Sequence, residues 1–276
     1  MHLKIATWNI NSVRLREPLV LEFLKEHDPD ILCLQEIKCL NDQFPRRNFE
    51  AMGYRHIEVA GMKAYHGAAT ISKLPLHRLP TAFCPMEHAR HVSTGIQIGN
   101  KDFELHNFYI PAGGDVADRE VNDKFGHKLD FYENLRSYFE GRFREGDAQQ
   151  MIVGDFNIAP HENDVWSSKQ LQKVVSHTPL EREVIETFRK SHDFIDTSRR
   201  WASDDEKLYS WWSYRARDVM ASNRGRRLDH IWVSPGMEDS IDAVGATSHR
   251  IHVPYRTKDK PSDHVPMTQV IDVDAL

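Results

Sequence analysis

Three cysteines in 276 residues are too few for a disulfide framework,. Cys33 lies inside the apolar run Ile31 to Leu34 and reads as core, and Cys39 and Cys84 stand apart from it. A reducing, cytoplasmic setting is the expectation. No run of about 18 apolar residues occurs, so no membrane partner is expected. Met1-His2-Leu3-Lys4-Ile5 leads straight into strand-like sequence, without the charged segment, apolar core and small-residue cleavage site of a secretory leader. Low-complexity tracts and Gly/Ser linkers are also missing. Strand and helix patterns mix from end to end, so one layered α/β domain over residues 1–276 is expected, with sheets inside and helices outside.

An excess of positive charge is missing too: 36 Lys and Arg face 41 Asp and Glu, a net charge of −5. Taken alone this speaks against a nucleic-acid partner, unless the charge is segregated. Between Lys207 and His230 it is. Lys207, Arg215, Arg217, Arg224, Arg226 and Arg227 outnumber Asp218 and Asp229, with Tyr209, Trp211, Trp212 and Tyr214 interleaved. Cations beside flat rings suit a phosphate backbone with unstacked sugars or bases. The plainer alternative is a solvated loop over a core tryptophan.

The periodicities predict a strand at Leu3 to Ile10 and a helix at Val13 to His27, with Leu15, Leu19, Phe23 and Leu24 on its apolar face,. Asp28-Pro29-Asp30 ends that helix. Ile31 to Leu34 reads as a buried strand. Residues 66–74 and 91–110 read as further strands, with a turn at Gly99-Asn100-Lys101-Asp102. A second helix is predicted over 127–143, with Phe131, Leu135, Tyr138 and Phe139 on one face. Met151 to Val153 is another buried strand. Thr178-Pro179-Leu180-Glu181 is a helix start: a capping threonine, a proline in the first turn and a glutamate that completes a capping box. Strands return near 227–234, 245–253 and 265–273.

Polar clusters sit at the ends of these apolar strands: Asn9, Gln35-Glu36, Gly154-Asp155-Phe156-Asn157 and Asp263-His264. Strand ends are where a rigid sheet can present side chains to a cleft. Glu36 is a hard oxygen donor of the kind magnesium takes alongside water and phosphate. Asp155 and Asn157, two apart, share a side if the chain is extended; the alternative is an Asx turn. Gly154 would permit a sharp exit from the strand. Asp263 and His264, adjacent on an extended chain, should face opposite ways. His264 is therefore expected to take its carboxylate partner from elsewhere, and Asp229 is the candidate. Such a partner favours the charged imidazolium near phosphate.

Taken jointly, Thr7-Trp8-Asn9-Ile10-Asn11, Leu34-Gln35-Glu36, Asn107-Phe108-Tyr109-Ile110-Pro111, Gly154-Asp155-Phe156-Asn157-Ile158-Ala159-Pro160, Arg227-Leu228-Asp229 and Pro261-Ser262-Asp263-His264 span nearly the whole chain. In these segments the chain resembles the exonuclease III and apurinic/apyrimidinic endonuclease family, of the endonuclease/exonuclease/phosphatase superfamily. The resemblance implies a four-layer α/β/β/α sandwich of two mixed sheets flanked by helices. It implies a Mg²⁺-dependent hydrolase of base excision repair, with Mn²⁺ as a substitute ion. The activity would be a 3′→5′ exonuclease on double-stranded DNA, with AP endonuclease and 3′-phosphatase activities. Its partner would be duplex DNA with abasic sites or 3′ ends, and the protein a monomer.

By the same resemblance Glu36, Asn11 and Asp263 would hold the metal. Asn9, Asn157 and His264 would bind the phosphate. Tyr109, Asp155, Asn157, Asp229 and His264 would carry the chemistry. Trp211, Trp212, Leu228 and Arg226 would line a DNA sugar pocket. One metal or two, and Asp155 or His264 as the base, stay open. Three departures qualify the match: Asn11 where some relatives have aspartate, Ala112 where many have an amide, and Arg226 at a position often apolar. His106, near the Tyr-x-Pro segment, reads as an ordinary strand residue.

Overall fold

The computed structural model describes residues 1–81, 84, 86–140, 149–215 and 218–276. Its strands are β1 (His2–Asn9), β2 (Ile31–Gln35), β3 (His56–Ala60), β4 (Ala68–Ser72), β5 (His77–Arg78), β6 (His91–Ile98), β7 (Lys101–Tyr109), β8 (Gln150–Asp155), β9 (Ile195–Asp196), β10 (Asp229–Val233), β11 (His249–Ile251) and β12 (Met267–Asp272). Two six-stranded sheets result, ordered β11-β12-β1-β2-β4-β3 and β5-β6-β7-β8-β10-β9. The principal helices are α1 (Val13–His27), α2 (Arg46–Ala51), α3 (Asp123–Glu140), α4 (Ser168–Leu171) and α5 (Pro179–Ser191).

Alternation along each central strand builds the layers, because successive side chains point to opposite faces. Leu3 and Ile5 of β1 and Ile31 and Cys33 of β2 face inward, against Leu105, Met151, Val153, Ile231 and Val233 of the second sheet. Ala6, Trp8, Leu32 and Leu34 face outward and pack on Val20, Phe23 and Leu24 of α1. On the far side, Phe108, Ile152 and Trp232 pack on Phe131, Leu135 and Phe139 of α3 and Ile185 and Phe188 of α5. The four-layer sandwich thus follows from strands that are apolar on both faces. None of the helices among the described residues is long and apolar enough to cross a membrane.

The expected elements are present, with instructive shifts. The β6–β7 turn is two residues long, since Ile98 pairs with Lys101, and Gly99 supplies its positive φ of 63°. The helix expected over 127–143 begins four residues earlier, at Asp123, and its expected end, 141–143, lies outside the described residues. The strand β3 went unpredicted because it is a half-buried edge strand with no clean alternation. Leu15 is 56% exposed and is not on the apolar face of α1. Arg16 departs from helical geometry (φ −112°, ψ 15°) just before Pro18. That break rotates the first turn, so Val13 and Arg16 turn inward instead,. Thr178 and Glu181 form the expected capping box, with Pro179 in the first turn.

Gly154 lies inside β8 rather than at its exit. A Cβ there would stand 1.9 Å from the Phe108 carbonyl oxygen, and its φ is +137°. The close approach of β7 and β8, not a bend, requires glycine. Gly154→Ala should therefore destabilise the fold by at least ~3 kcal/mol, measurable as a fall in the urea midpoint; an unchanged midpoint would mean the strands can part at no cost.

Candidate active site

The strand directions bring the polar clusters to one edge of the sandwich. β1 and β2 run parallel, as do β7 and β8, so Asn9, Glu36, Tyr109 and Asp155 all stand at C-terminal strand ends. β10 runs antiparallel to β8 and β12 antiparallel to β1, so their beginnings, Asp229 and the Asp263-His264 segment, arrive at the same edge. Register does the rest: Tyr109 pairs with Asp155, and Asp155 with Asp229. Beneath this edge Gln35 donates to Thr7 (2.9 Å) and to Asn107 (2.8 Å), and Asn107 donates to the Ala69 carbonyl (2.9 Å). These buried amides tie the two sheets together under the cleft.

A continuous hydrogen-bonded chain crosses from sheet to sheet. Tyr109 Oη donates to Glu36 Oε1 (2.7 Å). Asn9 Nδ2 donates to the same oxygen (3.2 Å) and to Asp155 Oδ2 (2.9 Å). Asn157 Nδ2 also donates to Asp155 Oδ2 (3.0 Å). His264 Nδ1 lies 2.8 Å from Asp229 Oδ2, the partner expected for it, and His264 Nε2 lies 3.8 Å from Asp155 Oδ2. Ser210 Oγ donates to that same Asp229 oxygen (2.6 Å). Asp155 and Asn157 do meet, but not through an extended chain. Asn157 has φ +55°, and its N–H donates to Asp155 Oδ1 (3.0 Å), so the segment is an Asx turn that aims both side chains into the cleft. Glu36, Lys38 and Asn11 are likewise at positive φ. Non-glycine residues held in that region concentrate where surrounding structure over-determines them.

Burial sets the charges. It pushes the Asp155 carboxyl up, and the neighbouring charge of Asp229 adds to this, although His264 opposes it. Burial would push His264 down, but Asp229 and Asp155 outweigh it and hold the imidazole charged well above its ordinary pKa,. Burial, with the charges of Glu36 and Asp155, raises Tyr109, so its hydroxyl keeps its proton. Burial disfavours the Glu36 carboxylate, yet the Lys38 ammonium and the Tyr109 hydroxyl bring it below the usual range.

The donors around Glu36 suit a hard cation. Lys38 Nζ bridges Glu36 Oε2 (2.9 Å) and Asn11 Oδ1 (2.6 Å), and Asn11 Nδ2 donates to Asp263 Oδ1 (3.0 Å). An ammonium already gathers oxygens from this group, and all the donors are oxygens, the set that magnesium and manganese prefer. Asp155, Asp229 and His264 form a second convergent group, with donor atoms within 4.8 Å of one another. There one nitrogen of His264 is already engaged by Asp229, and the two carboxylates favour its charged form over the neutral one that would bind a metal,.

The expected sugar pocket divides. Trp211 is half-buried, its Nε1 donates to Asp263 Oδ2 (2.9 Å), and it packs with the buried Leu228. Arg226 lies over the Trp211 ring (5.2 Å) and donates to Ser176 Oγ (2.8 Å). Trp212 does not belong with them: it is 2% exposed and packs in the core beside Tyr209. Successive residues of an extended segment point opposite ways, so only one of the pair can face the cleft.

The basic stretch divides in the same way. Arg227 is fully buried and grips Asp164 and Asp196 through four bonds of 2.8–2.9 Å; it holds the strand leading to Asp229 and offers nothing to a partner. Arg217 lies outside the described residues. Lys207, Arg215 and Arg224 are exposed. Tyr214 is exposed at the rim, accepts from Arg16 (2.9 Å) and lies under Arg256 (5.0 Å).

Several supporting residues had no sequence signal. Ser210 is one. Lys128 is another, and its partner Glu181 was expected only as a capping residue of α5: fully buried, they pair at 2.5 Å, and Lys128 Nζ also donates to the Asn157 carbonyl (2.8 Å). Glu181 accepts from the Ser176 and Thr178 N–H groups as well. The pair braces the turn that presents Asn157. Glu181→Ala should cost about 3–5 kcal/mol by stranding a buried ammonium. A Lys128→Met, Glu181→Leu double variant should recover much of that loss in urea unfolding. If the single variant unfolds at the wild-type midpoint, the brace contributes nothing.

A model of the Endonuclease/Exonuclease/phosphatase family matches residues 6–264. Exodeoxyribonuclease III of Haemophilus influenzae is 29% identical over 96% of this chain and 98% of its own length. An exodeoxyribonuclease of Bacillus subtilis is 28% identical over 98% of this chain and its whole length. Among solved structures, an AP endonuclease from Archaeoglobus fulgidus superposes with TM-score 0.86 at 31% identity, covering 98% of this chain and all of its own. A 3′ phosphatase from Neisseria, bound to a product DNA hairpin, superposes with TM-score 0.85 at 26% identity, covering 98% and 99%.

Proposed function

The chain belongs to the endonuclease/exonuclease/phosphatase family, and from that premise we propose that it is a metal-dependent nuclease of DNA repair. It hydrolyses phosphodiesters of duplex DNA as a 3′→5′ exonuclease, and it also incises abasic sites and removes 3′ phosphates. Relatives that carry these names match over nearly its full length. The observation that carries the chemistry is the chain of contacts from Glu36 through Asn9, Asp155 and His264 to Asp229. It puts the oxygen donors around Glu36 beside the Asp155 carboxylate and an imidazole whose charged form is favoured, which suits water-mediated phosphoryl transfer.

Glu36, Asp263 and Asn11 would hold Mg²⁺, for which Mn²⁺ can substitute. When bound, the ion neutralises phosphate charge and acidifies water. The Asn9 amide and Tyr109 hydroxyl, which donate to Glu36 here, would be the donors that face the phosphate oxygens. Asp155 accepts the proton of the attacking water as the new P–O bond forms and the bond to the departing oxygen breaks. Asp229 and Asp155 favour the charged form of His264, which suits it to stabilise the charge that builds on phosphate rather than to take the proton. Trp211 and Leu228 border the sugar, and Lys207, Arg215, Arg224 and Tyr214 follow the backbone. Residues 1–276 act as one domain and as a monomer.

The test uses end-labelled duplexes bearing an abasic analogue, an unmodified 3′ end or a 3′ phosphate, with and without EDTA. Incision at the abasic site, laddering from the 3′ end and phosphate release are expected, all abolished by the chelator. Cleavage that survives chelation would refute the reading.

A further inference from the structure

Beyond the oxygen-donor site, a second and chemically different cluster lies beside the cleft. Cys84 Sγ is 3.7 Å from His127 Nε2, and Cys84, His88 and His127 offer donor atoms that all lie within 4.8 Å of one another. Zinc–sulfur and zinc–nitrogen bonds of tetrahedral sites imply a sulfur–nitrogen edge of roughly 3.6 Å, so the Cys84–His127 spacing already matches. We propose that Cys84, His88 and His127 bind a zinc-class divalent cation through one thiolate and two imidazoles, leaving the fourth position to water. The thiol proton of Cys84 passes to solvent as the sulfur–metal bond forms.

Two observations support this. All three side chains are half-buried, open enough for an ion to enter and sheltered enough to hold it. Softness separates the two sites: sulfur and imidazole select zinc-class ions, whereas the carboxylate and amide oxygens at Glu36 select magnesium. Arg90 Nε donates to His88 Nδ1 (3.4 Å), so a cation bound by His88 displaces this long hydrogen bond, and the negative charge of a Cys84 thiolate offsets the guanidinium.

The position gives the site a purpose. His127 is on α3, whereas Cys84 and His88 belong to the segment that leads into β6. Arg90, two residues beyond His88, donates to the Tyr109 carbonyl (3.1 Å) and lies over the Tyr109 ring (4.9 Å). His66 stacks on His88 (4.5 Å) and also meets the Tyr109 ring (5.9 Å). A bound ion ties this rim to α3 directly behind the active-site tyrosine. The inference does not depend on the proposed DNA substrate.

The test is cobalt(II) substitution in the full chain, held in magnesium buffer so that the oxygen site is filled. One cobalt per chain and a thiolate-to-cobalt charge-transfer band are expected. Because Cys33 and Cys39 are buried, the band belongs to Cys84. Cys84→Ser should abolish the band, and both it and His127→Gln should weaken cobalt binding by at least about tenfold. Zinc should raise the melting temperature of the wild type but not of Cys84→Ser. A wild type without the band, or a Cys84→Ser variant that keeps both band and affinity, would show that the cluster is only a hydrogen bond between thiol and imidazole.

Discussion

Asp155→Asn is expected to lower kcat on an abasic duplex by about 10²–10⁴-fold, the range over which a positioned general base contributes. The substitution keeps the shape of the side chain but removes its ability to take a proton from water. Asn9 and Asn157 both donate to Asp155, so some rearrangement of their amides will follow. DNA affinity, measured separately by fluorescence anisotropy in calcium, should change by only a few-fold. The wild-type pH profile checks the same assignment. Burial raises the Asp155 carboxyl, so the rising limb of kcat/KM should lie well above the ordinary aspartate value of about 3.9. Asp155→Asn should flatten that limb. A variant within a few-fold of wild-type kcat would remove Asp155 from the role of base.

Asp229→Asn should cost about 10²–10³-fold in kcat at neutral pH, by a different route. Among the described residues the Asp229 side chain bonds to His264 and Ser210, so it is a positioning residue. Its charge is the foremost of the influences that raise His264 against burial. The sign follows directly: with Asp229 neutral, burial regains ground, the His264 pKa falls, and the imidazole loses its proton at a lower pH. The falling limb of the kcat/KM profile should therefore move to lower pH, and lowering the pH toward the new limb should recover part of the lost activity. A merely structural role would lower the whole profile without moving the limb.

How much of this was legible in the sequence depended on how local the cause was. Helix α5 was predicted from its own first four residues because a capping box is a short-range arrangement. The central strands were predicted because burial on both faces leaves continuous apolar runs. Pairing His264 with Asp229 was also accessible, since the pleat forbids adjacent Asp263 and His264 from sharing a face. Long-range causes were not accessible. Gly154 is glycine because Phe108 of the next strand comes within contact of it, and Lys128 matters because it meets Glu181 and Asn157 from a distant helix. Charge counting misled where burial intervened: Arg227 counted as a basic surface residue, yet it is locked to Asp164 and Asp196 inside the fold. Pattern could not decide between Trp211 and Trp212 either; register did.

The central claim is that Glu36 anchors the metal on which cleavage depends. Single-turnover cleavage of an abasic duplex by Glu36→Ala across a magnesium titration tests it most directly. The account predicts a rate constant at least about 10²-fold below wild type at ordinary magnesium, with an apparent magnesium affinity displaced to far higher concentration. A Glu36→Ala protein that cuts at the wild-type rate with an unchanged magnesium midpoint would contradict it.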